Sequence, residues 1–170
     1  MKFEITLAQI QSEFGNPEKN FRKIQQIIDE LTTSDIHLLI LPELWSSGFD
    51  LKQSQLHFHA DCEIIESLTQ IAINKKLWIA GSYLTRDNDY YYNTFILHAP
   101  DGRQFSYQKM HLIKLMNEHH WFQAGQEYVK VNTPFACMGL SICYDLRFPA
   151  FFQVLSHAGC NLFLMPAAWP

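Results

Sequence analysis

No stretch of this chain reaches the ~18 uninterrupted apolar residues that a membrane-crossing helix requires, which excludes a helical membrane span. The opening MKFEITLAQIQSEF interrupts its apolar residues with Glu4, Gln9 and Gln11, so it lacks the continuous apolar core of a secretory leader, and the cytoplasm is the expected location. Positive charge is equally sparse. The net charge is -4 and the basic residues are scattered, so no cationic stripe exists for a phosphate backbone, and nucleic acid is excluded as a partner. The four cysteines, Cys62, Cys137, Cys143 and Cys160, form no Cys-x-x-Cys pair, and both metal-clip and disulfide-framework spacings are absent. Internal repeats, low-complexity tracts and linkers are missing as well, so residues 1–170 are read as one domain.

What the chain does have is core material: 48% of its residues are apolar and 14% aromatic. KFEITLAQI alternates with period 2, predicting a strand that buries Phe3, Ile5 and Leu7. Asn16 and Pro17 open an amphipathic helix through Phe21, Ile24, Ile28 and Leu31, ending near Thr33. IHLLILP and LWIAGSY read as strands covered on both faces, with a helix from about Cys62 to Lys75 between them. This repeated strand–helix–strand order predicts a layered α/β sheet. Asp101-Gly102 marks a hairpin turn, which adds an antiparallel pair. KMHLIKLMNEHHWFQAGQEYV has no clean period and is expected to be a long irregular loop. FACMGLSI is a strand, PAFFQVLSHAG a helix begun by Pro149 and stopped by Gly159, and NLFLMP a last strand.

Ligands of open α/β sheets bind outside the carboxyl ends of the strands. LLILP is followed at once by Glu43 and MGLSI by Cys143, while Lys109 leaves the hairpin toward the long loop, so the three are expected at one edge. Each alone is unremarkable, because loop acids, loop lysines and buried cysteines are common. Together they form a nucleophilic set: a thiol attacks as thiolate, a neighbouring ammonium lowers its pKa, and a carboxylate takes its proton. The Tyr144 amide, just beyond the cysteine, is the expected donor to an oxyanion. Asp145 and Arg147 are expected to pair and fix the turn, with Arg147 as a substrate-carboxylate site the alternative. His57, His59, His111, His119 and His120 match no metal-ligand pattern, and a Cys143–His111 pair would leave Glu43 unexplained.

LPELWSSGF, YQKMHL and CYDLRFP resemble, in order, the three signature blocks of the nitrilase superfamily of carbon-nitrogen hydrolases. The resemblance implies a catalytic triad at Glu43, Lys109 and Cys143, an α-β-β-α sandwich, a homodimer, and amide hydrolysis through a thioester without a cofactor. KMHLIKLMNEHHWFQAG followed by CYDLRFP is similar to the ω-amidase branch, which implies a small-molecule amide substrate. It also implies a supporting role for Glu118 and a substrate contact for Trp169 in MPAAW, with core packing equally open for the latter. Phe49, Trp121 and Phe122 are the expected apolar wall of the pocket. Nitrilase and N-carbamoyl hydrolase chemistry share the same three groups. Relatives normally continue past the position of Pro170, so the C-terminal part of the sandwich is expected to be missing. The last strand would then lack cover, and a noncatalytic, partner-binding piece is the alternative reading.

Overall fold

The structure is a computed structural model that describes residues 3–31, 36–52 and 54–168. Eleven regular elements follow in the order β1 (Phe3–Leu7), α1 (Pro17–Glu30), β2 (Ile36–Ile40), α2 (Ser54–Lys75), β3 (Trp78–Asp87), β4 (Tyr90–His98), β5 (Gln104–Gln108), β6 (Lys130–Asn132), β7 (Cys137–Leu140), α3 (Pro149–His157) and β8 (Leu162–Leu164). The strands form two sheets rather than the one that strand-by-strand reading suggests. β1, β2 and β3 pair in parallel, and β4 and β5 continue that sheet antiparallel. β6 pairs antiparallel and β8 parallel with β7 in a second, three-stranded sheet.

Helix α1 begins where Asn16 Oδ1 accepts the Lys19 N–H at 3.1 Å and Pro17 presets the first turn. It buries Ile24 and Ile28 against Leu39, Ile79, Leu68 and Ala72, so α1 and α2 cover the outer face of the first sheet. α1 ends at Glu30, with Thr33 outside the described residues, and α2 begins at Ser54, well before Cys62. Between the sheets, Leu38, Ala80, Phe95 and Leu97 meet Val131, Met138, Leu140 and Ile142. On the far side α3 packs over Gly139, where a Cβ would lie 3.1 Å from Leu155 Cδ1 and 2.9 Å from the Phe163 ring. Only glycine lets helix and strand approach so closely there. The layers therefore run helix, sheet, sheet, helix.

The structure adds a hairpin and a short strand and corrects one expectation. β3 and β4 form a hairpin whose turn contains Asn88 at φ +52°, a conformation asparagine tolerates better than most residues. The Lys130–Asn132 strand also went unread, because three residues carry too little periodicity to register. And Phe3, Ile5 and Leu7 do share a face, but it is exposed, with Leu7 at 71%. In register they align with Ile36, Leu38 and Ile40, the face turned to the second sheet, and among the described residues that sheet ends at β8. Phe3 meets the Phe135 ring at 4.8 Å. Phe163 of β8, 36% exposed, meets the Phe152 ring of α3 at 5.4 Å.

Ile24, with no accessible surface, anchors α1. Ile24→Ala should lower the free energy of unfolding by about 2–5 kcal/mol, read from the midpoint of a urea titration.

Candidate active site

Glu43 stands two residues beyond Leu41, whose N–H extends the β2–β3 ladder to Ala80 O at 2.7 Å. The chain then turns sharply, with Leu44 at φ +43° and its N–H held by Ser82 Oγ at 2.9 Å. Lys109 follows β5, its N–H donating to Asn93 O at 2.9 Å, so its backbone is still tied to β4. Gly125 accompanies it, donating its N–H to Lys109 O at 2.9 Å, and a Cβ on Gly125 would stand 2.2 Å from Gln108 O. Cys143 lies beyond β7 at φ +42°, opening a short 3-10 turn, Cys143–Arg147, before α3. A non-glycine residue at such an angle is strained and persists only where its surroundings impose it. Here the Cys143 N–H donates to Pro166 O at 2.9 Å, and Asp145 Oδ2 accepts the Ile142 N–H at 2.8 Å.

These three elements bring Glu43, Lys109, Cys143 and Glu118 to one place, at the end of the two facing sheets rather than along one sheet's edge. Lys109 Nζ donates to Glu43 Oε1 at 2.7 Å and to Glu118 Oε1 and Oε2 at 2.9 and 3.0 Å. The Cys143 thiol lies near enough to the Glu43 carboxylate for that charge to act on the sulfur. Glu118, at the start of a 3-10 turn in the long loop, is fixed by the Ile113 N–H at 2.6 Å. Cys143 has no accessible surface, Lys109 1% and Glu43 2%.

The electrostatics follow from that burial. Desolvation opposes the charge on Lys109, but two carboxylates within hydrogen-bonding distance outweigh it and hold its pKa above the ordinary lysine value. Burial pushes Glu118 up, against the pull of Lys109 and the Ile113 N–H. The Cys143 thiol is pushed up to about 12, first by burial and then by the negative charge of Glu43 beside it. This reverses the expected lowering by Lys109. Its ammonium does favour the thiolate, but it is engaged by two carboxylates, and the resting state is a neutral thiol.

Asn93, unmarked by any sequence motif, is the residue that sequence reasoning missed. Buried on β4, it donates from Nδ2 to Glu43 Oε1 at 2.9 Å while its carbonyl holds Lys109, and so ties the acid and the ammonium to one strand. Glu43 Oε2 accepts the Ala168 N–H at 3.2 Å, which lays the segment after β8 across the carboxylate. Glu43, Phe49, Pro42 and Ala167 line a cleft of about 570 Å³ on this side. Phe49 and Trp121 pack, partly buried, on the Leu44–Leu84–Phe122 cluster; of the expected wall Phe49 lines this cleft, whereas Phe122 is core. Trp169 lies outside the described residues. Tyr144 follows Cys143 directly, its ring edge-on to Phe148 at 5.5 Å.

Asp145 does not fix the turn through Arg147. It is buried and accepts from Tyr107 Oη at 2.7 Å, from the Ile142 and His111 N–H groups, and pairs with His111 Nδ1 at 2.7 Å, while Arg147 is exposed. These contacts occupy both carboxylate oxygens on the inner side. His111, stacked on Phe148 at 3.6 Å, thus serves the turn that carries Cys143. His57 pairs with Asp50 at 3.3 Å, and His59, His119 and His120 are exposed. Among the described residues no three His, Cys, Asp or Glu side chains are grouped to hold a metal ion.

Because the thiol is pushed up to about 12, alkylation of Cys143 by iodoacetamide should keep rising with pH to about pH 10; a plateau near neutrality would mean a stabilised thiolate. Asn93→Leu removes a buried donor to a charged carboxylate and should cost about 1–3 kcal/mol of stability in a urea titration.

Residues 4–169 match the model of the carbon-nitrogen hydrolase family. Among curated relatives, the chain is 32% identical to a 2-oxoglutaramate amidase from Bacillus subtilis, over 100% of this chain and 66% of the relative. It is 28% identical to an ω-amidase from Yersinia enterocolitica, over 98% and 63%. Among solved structures, a CN-hydrolase superfamily protein from Xanthomonas campestris, with an arsenic adduct in its active site, superposes with a TM-score of 0.88 at 29% identity, covering 98% of this chain and 64% of that one. The chain thus spans about two thirds of the length of these relatives. With a family model matched over nearly its whole length, and with the two-sheet architecture shared, this chain belongs to the carbon-nitrogen hydrolase family.

Proposed function

We propose that this chain carries the catalytic machinery of an ω-amidase-like hydrolase, with Cys143 as nucleophile, Glu43 as general base and acid, and Lys109 as the electrostatic stabiliser. The observation that supports this best is a buried thiol beside a carboxylate that also binds a buried ammonium. With the thiol pushed up to about 12, ionisation before attack is unfavourable, so the proton passes to Glu43 as sulfur attacks the amide carbon. Negative charge then grows on the former carbonyl oxygen, where the Lys109 ammonium and the Tyr144 N–H stabilise it. Glu43 returns the proton to the departing nitrogen and ammonia leaves, with a thioester on Cys143. Water, deprotonated by the same carboxylate, attacks the thioester and releases the acid and the thiol. Glu118 and Asn93 act through the others: Glu118 holds the ammonium, and Asn93 fixes the carboxylate. Phe49, on the cleft beside Glu43, and Trp169 are proposed to face the substrate.

The complete cover of Cys143 favours a second reading, in which the chain as it stands is closed to substrate and serves as a partner-binding piece. Ammonia release from short ω-amides of α-keto diacids, measured beside a set of nitriles and N-carbamoyl compounds, separates the cases. The proposal expects turnover of the amides, an acyl adduct on Cys143 in a rapidly quenched sample, and loss of both in Cys143→Ala with an unchanged thermal midpoint. Preferred nitrile turnover would remove the ω-amidase assignment, and retained activity in Cys143→Ala would remove the nucleophile. An inert wild-type chain with intact structure would favour the second reading.

A further inference from the structure

Two cysteines outside the active site lie close enough to react with each other. Cys137 opens β7, Cys160 sits two residues before β8, and their Sγ atoms are 3.7 Å apart. The two strands are locked in register at this point. Asn161 N–H donates to Cys137 O at 2.9 Å, and Asn161 Oδ1 accepts the Cys137 N–H at 3.0 Å, so the backbones cannot drift apart without breaking both bonds. Lys130 Nζ, from β6, is bonded to Ala158 O at 2.9 Å beside them. Cys137 is partly accessible and Cys160 buried, so a small reagent meets Cys137 first. Both are free thiols, and the proposed amide chemistry uses neither.

We propose that Cys137 and Cys160 are an oxidisable dithiol that closes to an intramolecular disulfide, tying the starts of β7 and β8 together, on exchange with a small-molecule disulfide such as oxidised glutathione. The Cys137 thiolate attacks one sulfur of the reagent, giving a mixed disulfide and one reduced glutathione. The Cys160 thiolate then attacks the Cys137 sulfur, expelling the second reduced glutathione. Two protein thiols lose their hydrogens and one disulfide is reduced to two thiols, so atoms and electrons balance. Closure requires the sulfurs to approach by less than 2 Å, roughly a side-chain rotation, since a disulfide spans about 2.05 Å. Cys160 is pushed up to about 11 by burial and by Cys137 beside it, so the second step should be the slower and should accelerate as pH rises. The bond forms at the opposite ends of β7 and β8 from Cys143. It therefore restrains the pair of strands that carry Cys143 and Pro166 without touching the active-site sulfur.

Incubation of the 170-residue chain with oxidised glutathione, followed by intact mass and tryptic peptide analysis, tests this. The expected result is a loss of two hydrogens from the intact mass and a linked pair of peptides, residues 131–147 with 148–170, whose fragmentation places the bridge on Cys137. The bridge should persist in Cys143→Ser and vanish in Cys137→Ser, and reduction by dithiothreitol should reverse it. The oxidised form should unfold several degrees higher, as expected for a loop closed without strain. A bridge on Cys143, a bridge retained in Cys137→Ser, or only stable mixed disulfides at alkaline pH would overturn the proposal. Fragmentation of the wild-type peptides alone decides the assignment if either variant fails to fold. The outcome is independent of the amidase reading, because no step depends on turnover.

Discussion

The ammonium of Lys109 is the group on which this site depends. Alone in the interior it would be expelled or neutralised, because removing a charge from water costs several kcal/mol even after relaxation. Glu43 and Glu118 hold it on two sides at 2.7 to 3.0 Å, and each of those acids relies on it in turn. Three strands must meet at the same place for this to occur: β2 leads to Glu43, β5 leads to Lys109, and β4 supplies Asn93, which grips both. The long loop after Lys109 is irregular because it must carry Glu118 back over the ammonium within nine residues, and it does so with two short 3-10 turns. A loop without regular hydrogen bonds is the economical way to place one side chain where no strand or helix would put it.

Two acids against one ammonium give the trio a formal net charge of -1, and that surplus sets the condition of the sulfur. A thiolate beside it would add a second negative charge in a buried site, so Cys143 stays protonated. A cysteine proposed as nucleophile here cannot rely on a depressed pKa, as it would beside an imidazolium; it relies on a base already placed beside it. The strained backbone of Cys143 has the same origin. To reach Glu43 from the second sheet the chain must leave β7 abruptly, and the buried Asp145, held by Tyr107 and His111, supplies the fixed points that keep the turn in that conformation.

Several features of the architecture were readable from local pattern. The Asn16-Pro17 helix start, the Asp101-Gly102 hairpin and the parallel β1–β2–β3 run all follow from residue chemistry within a few positions. The division into two sheets was not visible in the strand pattern, because a buried strand reads the same whichever sheet it joins; it entered only with the family resemblance. The exposed Phe3, Ile5 and Leu7 show the limit in another way, since alternation identifies a common face but not whether anything covers it.

For the site, the residue types at Glu43, Lys109 and Cys143 and their places after strands were sequence-determined, because Glu43 and Cys143 stand where apolar runs stop and Lys109 where the hairpin ends. Tertiary structure alone decided who pairs with whom. It placed Asn93 on Glu43, gave Asp145 to His111 and Tyr107 rather than to its near neighbour Arg147, and brought Cys137 against Cys160. It also reversed the direction of the Cys143 shift, which no list of residues could fix. The physical reason is common to all of these: hydrogen bonds and desolvation depend on separations of a few ångströms between chain-distant atoms, and only the packed backbone sets those separations.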